Sequence, residues 1–366
     1  MSIVLTTEQR EQAGSNSYNR FEYQVHWIVC HIIDKLQDNE KCVVICEFHD
    51  DMAEFFFDNQ QYRFYQIKTK DKPSNWTIAE MSKRERKKNG EYKRSFLGFI
   101  FYNYLCFGTE CSHCYFISNN DFDKEILLWQ AIIEDGKKLQ TENIVLYEKI
   151  KDRIKDEFIS DMPNNFDDVF DTFIQNTFVQ KSDLQLTTYE NQVKGKFFNH
   201  LADKSIPTNI ANLIFQQLIN DVRKKSKKMI ELPISMKSLV EKKGIDIAQV
   251  GRKIDDNIKN SSNYNAFHQF LLNLSLEEKE IHQIESAKML HDSRWLDVND
   301  FKYQMIIVTL RQVISTYCEK TYKDRIDDEL KQLCNQELKK NNLLSESLDE
   351  LLVEVLYYEQ KYSKNN

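Results

Sequence analysis

Between Glu47 and Lys70 the chain reads EFHDDMAEFFFDNQQYRFYQIKTK, the stretch whose residue types and spacing best suit a chemical step. Asp50 and Asp51 stand just before an apolar run, Met52–Phe57, and a second run, Tyr62–Thr69, carries Gln66 and Lys68 two residues apart. Side chains alternate between the faces of a strand, so Gln66 and Lys68 share one face while Ile67 points into the core. Paired as a hairpin, the two runs bring Asp51 within reach of both. A carboxylate and an amide oxygen beside a lysine suit metal-assisted cleavage of a phosphodiester. Hard oxygens hold Mg²⁺ (or Mn²⁺), and the lysine orients the attacking water and offsets charge developing on the phosphate. Asp50 competes with Asp51 as the main metal ligand; Asp51 is preferred because it directly abuts the apolar strand.

Positioning these groups requires a sheet and at least one covering helix. Apolar residues at Phe21, Val25, Ile28, Ile32, Ile33 and Leu36 follow helical spacing, after a polar, loose start over residues 1–17. Cys42–Phe48, Met52–Phe57 and Tyr62–Thr69 read as three strands broken by Asp-Asp and Asp58-Asn59. Trp76 to about Cys106 reads as mostly helical with a break near Asn89-Gly90, and His113–Ser118 as a fourth strand, giving the order αβββαβ. Further on, Ile144–Phe158 and Asp167–Phe178 read as helices and Leu184–Tyr189 as a short strand. From Tyr189 onward the pattern is helical, with breaks near Pro207, Pro233 and Gly244, and shows no second α/β region.

Five short motifs succeed one another along this framework. They are Phe21-Glu22-Tyr23-Gln24, Asp50-Asp51 before its apolar strand, Tyr65-Gln66-Ile67-Lys68-Thr69 followed by Trp76-Thr77, Ser95-Phe96-Leu97-Gly98, and Tyr115-Phe116-Ile117-Ser118-Asn119. In this order they resemble the PD-(D/E)XK nuclease superfamily, in the variant where Gln replaces the second acid. Within it they look like the double-stranded-DNA endonuclease domain of bacterial antiphage systems. That domain heads certain CBASS effectors and occurs in proteins encoded beside HerA-type ATPases. The likeness spans roughly residues 15–200. It implies a restriction-endonuclease-like core acting on duplex DNA, with a metal held by Asp51, Gln66 and the backbone carbonyl of Ile67. It also implies that Glu22, on the first helix, completes the metal site; the alternative for Glu22 is an acid stabilised by the helix dipole. Glu47 is a reserve ligand and Gln24 a lesser candidate, while Glu54 belongs to the polar face of its strand.

The remaining features bound this reading. A net charge of −7 excludes a generic polyanion binder, so DNA contact needs a local basic surface. The run Lys83, Arg84, Arg86, Lys87, Lys88, Lys93 and Arg94, directly after the catalytic strand, is the candidate; Arg223–Lys228 reads as solvated surface. Cys111-Ser112-His113-Cys114, with Cys106 nearby, lacks the second ligand pair of a structural zinc site and reads as buried thiols. The eight cysteines fall singly in helical or strand-like runs, there is no charged leader, and no segment approaches about 18 uninterrupted apolar residues, so a cytoplasmic protein without a membrane segment is expected. No Gly-rich phosphate loop marks an ATPase. From Leu344 onward, Leu348, Leu351, Leu352, Val355 and Leu356 recur at helical spacing beside Glu350, Glu354 and Lys361; such a stripe packs on its own domain or, as expected here, serves self-assembly or partner docking.

The expected fold class is thus an N-terminal α/β restriction-endonuclease-like core followed by a mostly α-helical region. The boundaries are 1–17 for a loose N-terminus, 18–200 for the nuclease domain and 201–366 for a helical assembly or docking domain. The expected function is Mg²⁺-dependent cleavage of duplex DNA by Asp51, Gln66, Lys68 and Glu22, in antiphage defence, as a homo-oligomer working with a HerA-type ATPase. Two alternatives are a catalytically silent DNA-docking subunit of such an ATPase and an RNA-directed nuclease.

Overall fold

The computed structural model describes residues 13–88, 90–159, 162–204, 206, 208–274, 276–295, 301–321, 323, 325–343 and 348–365. Of the expected features, the loose start up to residue 12, Asn89, Pro207 and Leu344 lie outside the described residues. Residues 13–17, expected loose, already belong to the first helix, Ala13–Gln37.

Six strands form one sheet in the order β5-β4-β3-β2-β1-β6: β1 (Val43–Phe48), β2 (Asp50–Phe56), β3 (Gln61–Lys68), β4 (Cys111–Ser118), β5 (Thr177–Lys181) and β6 (Gly244–Asp246). The pairs β1–β2, β2–β3 and β1–β6 are antiparallel, whereas β3–β4 and β4–β5 are parallel. Parallel neighbours need long crossovers, and these carry the helices Phe96–Phe107, Lys124–Glu134, Ile144–Glu157 and Phe166–Asn176. The crossover helices bury Leu97, Phe101, Trp129, Ile150 and Phe173 in a common core with Val43, Ala53, Phe55, Phe64 and Phe116 of the sheet. On the first helix, Val25, Ile28, Ile32 and Ile33 of the expected spacing are buried, together with Tyr23, while Phe21 and Leu36 are half-buried.

Several expectations are corrected. The region from Trp76 to Phe96 is mostly irregular: one short helix, Ile78–Met81, then an exposed excursion pinned by a bridge between Arg86 and Tyr92. The helix expected over Asp167–Phe178 stops at Asn176 and continues directly as β5. Phe170, Phe173, Ile174 and Phe178 keep helical spacing across that junction, with no Gly or Pro to end it, which conceals the strand. Leu184–Tyr189 is not a strand; strand pairing ends at Lys181. The three-residue β6 is too short to show a period.

The chain divides into two compact units, Met1–Ile254 and Asp255–Asn366, so residues 201–254, expected with the helical domain, belong to the first unit. The second unit is helical among its described residues. Its core joins Leu271, Ile284, Ile307, Leu310 and Leu330 to Leu352, Val355 and Leu356. The C-terminal apolar stripe is therefore largely occupied by its own unit. Lys361, expected on the polar face, is buried and donates to the Lys323 carbonyl. No helix among the described residues is long and apolar enough to cross a membrane.

Candidate active site

The C-terminal end of β3 lies beside the start of β2. Met52 faces Tyr65, so one step further Asp51 stands opposite Gln66, and Lys68 follows on the same face. Asp51 Oδ2 accepts two hydrogen bonds, from the Ile67 amide at 2.7 Å and from Lys68 Nζ at 2.9 Å. Lys68 also lies 5.7 Å from the centre of the Phe96 ring, which shields one side of the ammonium. The expected grouping of Asp51, Gln66 and Lys68 on one face is thus present.

The turn that delivers Asp50 and Asp51 is tight. Phe48 pairs directly with Asp50, and the flanking Glu47 and His49 have φ of 49° and 61°. Left-handed backbone at non-glycine residues costs roughly 1–2 kcal/mol each and persists only where the surroundings impose it. The turn crowds three carboxyls. Burial and then the neighbouring Asp51 charge push Asp50 up to about 7. Glu47 reaches solvent, yet partial dehydration and then Asp51 raise it likewise to about 7. Asn103 Nδ2, from the helix Phe96–Phe107, donates to Asp50 Oδ2 at 3.4 Å.

Opposite these acids, Gln66 is buried and its Oε1 accepts no hydrogen bond. Buried polar atoms almost always have a partner, because leaving one unmade costs about 1–3 kcal/mol. The adjacent Ile67 carbonyl accepts from Gln24 Nε2 at 3.1 Å, which fixes its direction and leaves a second lone pair. An orphaned amide oxygen, a fixed carbonyl and carboxyls raised by burial and by the Asp51 charge together fit a hard divalent cation with oxygen ligands.

Glu22 does not join this group. It is buried and held by Arg223, whose Nη2 and Nε approach at 2.6 and 3.0 Å, a bidentate arrangement that satisfies the carboxylate. The run Arg223–Lys228 is accordingly not plain solvated surface: Lys225 also donates to the carbonyls of Val240, Glu241 and Gly244. Glu54 faces away from solvent altogether, taking hydrogen bonds from Tyr65 Oη at 2.6 Å and His31 Nε2 at 2.7 Å. Burial acts to raise its pKa, but His31, Lys35 and Tyr65 outweigh it and hold Glu54 at about 2.

The other motifs support the site from behind. Ser95 caps the helix Phe96–Phe107 through Gly98 N, and Glu157 accepts from both Ser95 N and Ser95 Oγ, at 2.9 and 2.6 Å. A Cβ on Gly98 would lie 2.1 Å from Glu157 Oε1, so only glycine lets the carboxylate approach. Trp76 Nε1 donates to the buried Ser118 at 2.7 Å, and Asn119 bonds both the N–H and C=O of Lys70. Cys111 and Cys114 are buried on β4 with sulfurs 3.6 Å apart. His113 shares the opposite face with Tyr115.

Lys83, Arg84, Arg86, Lys87, Lys88, Lys93 and Arg94 lie on the irregular segment after β3 rather than on a helix. Lys87 and Lys93 pair with Glu91 and Glu85, and Arg94 lies 4.3 Å from the centre of the Phe158 ring. Lys83, Arg86 and Lys88 are exposed without a carboxylate partner among the described residues.

This geometry coincides with a sequence match. Residues 12–226, more than half of the 366-residue chain, match the family described as Cap4, dsDNA endonuclease domain. The chain belongs to that family. No curated protein matches it. The match makes residues 12–226 a DNA endonuclease domain, and Asp51, Gln66 and Lys68 lie within the matched residues. Sequence reasoning overlooked Asn103, a polar residue on an apolar helix, and gave Gln24 little weight; the latter signal was its place in Phe21-Glu22-Tyr23-Gln24.

Proposed function

We propose that the protein is a divalent-metal-dependent endonuclease of duplex DNA with Asp51, Gln66 and Lys68 as its catalytic residues. The observation that carries this reading is the buried, unpartnered Gln66 Oε1 on the strand face that bears the Asp51–Lys68 pair. Asp51, Gln66 Oε1 and the Ile67 carbonyl would hold the metal, with Asp50 and Glu47 beside them. When bound, the metal, Mg²⁺ or Mn²⁺, supplies Lewis acidity to the attacking water and neutralises charge on the phosphate. Lys68, tethered to Asp51, orients the water and donates to a phosphate oxygen as negative charge grows there. Gln24 keeps the Ile67 carbonyl aimed, and the exposed cations Lys83, Arg86 and Lys88 contact the duplex backbone.

A role in antiphage defence, in a homo-oligomer beside a HerA-type ATPase, extends the reading and rests on the family resemblance. The C-terminal stripe, largely occupied within its own unit, gives that assembly no support. The decisive experiment incubates the full chain with plasmid DNA and Mg²⁺ or Mn²⁺. Cleavage should vanish with chelator, with Asp51→Asn and with Lys68→Met. Duplex binding without cleavage under all metals would favour a docking subunit, and preferential loss of structured RNA would favour an RNA-directed nuclease.

A further inference from the structure

The helix Met236–Lys243 and β6 follow the matched residues 12–226, yet they reach the candidate site. Helix and strand join without a loop. A Cβ on Gly244 would meet Val240 Cα at 2.7 Å and Val43 Cγ1 at 2.9 Å, so the close approach to β1 requires glycine. β6 then pairs with β1 through Gly244 opposite Ile45 and Asp246 opposite Val43. Lys225 binds the carbonyls at the helix end, which fixes this junction against the helix Thr208–Lys227.

Lys243, the last residue of the helix Met236–Lys243, is only 4% exposed. Its Nζ donates to the Cys46 carbonyl at 3.2 Å, and its charge lies within range of Glu47. Cys46 immediately precedes Glu47, whose φ of 49° needs an imposed backbone. We propose that Lys243 is a positioning residue of the metal site: by gripping the Cys46 carbonyl it sets the turn that holds Glu47 beside Asp51, so a segment beyond the matched domain completes the nuclease. This inference rests on the nuclease reading and adds Glu47 to the ligand set.

The test titrates Mn²⁺ into the full chain without DNA, following the free ion by electron paramagnetic resonance. Glu47→Gln and Lys243→Met should each weaken binding about ten-fold, as loss of supporting groups around a metal does. The double variant should be no weaker than Glu47→Gln alone, because Lys243 acts through Glu47. Loss of a positive charge by itself would instead tighten Mn²⁺ binding, and that result overturns the proposal. So do additive losses, or unchanged affinity in Glu47→Gln, a variant of a solvent-facing residue that serves even where Lys243→Met does not fold. Binding lost in Asp51→Asn but intact in both other variants refutes this inference and leaves the nuclease reading standing; no Mn²⁺ binding by the wild type refutes the nuclease reading and this inference together.

Discussion

Replacing Gln66 by Met should raise stability and destroy function at once. Met matches Gln in length and volume and removes the buried Oε1 that has no hydrogen-bond partner. An unsatisfied buried acceptor costs about 1–3 kcal/mol, so the metal-free variant should gain up to that amount. For a domain of this size each kcal/mol moves the unfolding midpoint by roughly 2–4 °C, giving a rise of about 2–12 °C in chelator. With Mn²⁺ the order should invert. The wild type gains stability by ligand binding, about 2.7 kcal/mol when the metal stands at a hundred times its dissociation constant, and the variant loses most of that gain. The assay is thermal unfolding of both proteins in chelator and across a Mn²⁺ series, beside plasmid cleavage. A variant less stable than wild type in chelator would show that Oε1 is satisfied in the native protein. An equal Mn²⁺ gain in both would show that the amide is no ligand. Either result removes the observation on which the site rests.

Three further outcomes follow from the same geometry. Asp50 and Glu47, both raised to about 7, bind protons more tightly in the folded than in the unfolded chain. Metal-free stability should therefore fall as pH rises from about 4 to about 7, with Asp50→Asn or added Mn²⁺ reducing that slope in denaturant titrations. Gly98→Ala should cost at least about 2 kcal/mol by driving Glu157 off Ser95, and the cost should shrink in Gly98→Ala/Glu157→Ala, measured by urea unfolding. Reversing Lys83, Arg86 and Lys88 to Glu should weaken duplex binding in Ca²⁺ and lower its salt slope by roughly three, whereas the same change at Lys87 and Lys93, already paired, should do less.

How much of this was legible depended on whether a residue's role repeats along the chain. The faces of β2 and β3 follow a period of two, so the grouping of Asp51, Gln66 and Lys68 could be read before any coordinates. Glu22 could not be placed that way. A glutamate within a helix looks alike whether it faces a metal or an arginine, and Arg223, its partner, lies 201 residues away. Glu54 misled for a related reason: an acid amid alternating apolar residues reads as the wet side of a strand, whereas His31, Lys35 and Tyr65 give it a buried charged partnership. The strand β5 was hidden because its apolar residues prolong the helical spacing of the preceding helix.

The site's electrostatics then account for why its supports lie so far apart in sequence. Burial and the Asp51 charge disfavour ionised Asp50 and Glu47, and the turn that carries them bends two non-glycine residues into left-handed backbone. Local sequence cannot stabilise such an arrangement; neighbouring elements must impose it. Asn103 reaches Asp50 from the first crossover, Gln24 holds the Ile67 carbonyl from the first helix, and Lys243 holds the Cys46 carbonyl from beyond the matched domain. Each is a hydrogen bond from a distant element to the group that a metal would use or to the backbone beside it. A substitution at any of the three should therefore leave the core nearly intact while loosening the ligand geometry. That pattern separates a metal site from an ordinary buried polar cluster, where lost hydrogen bonds register as lost stability.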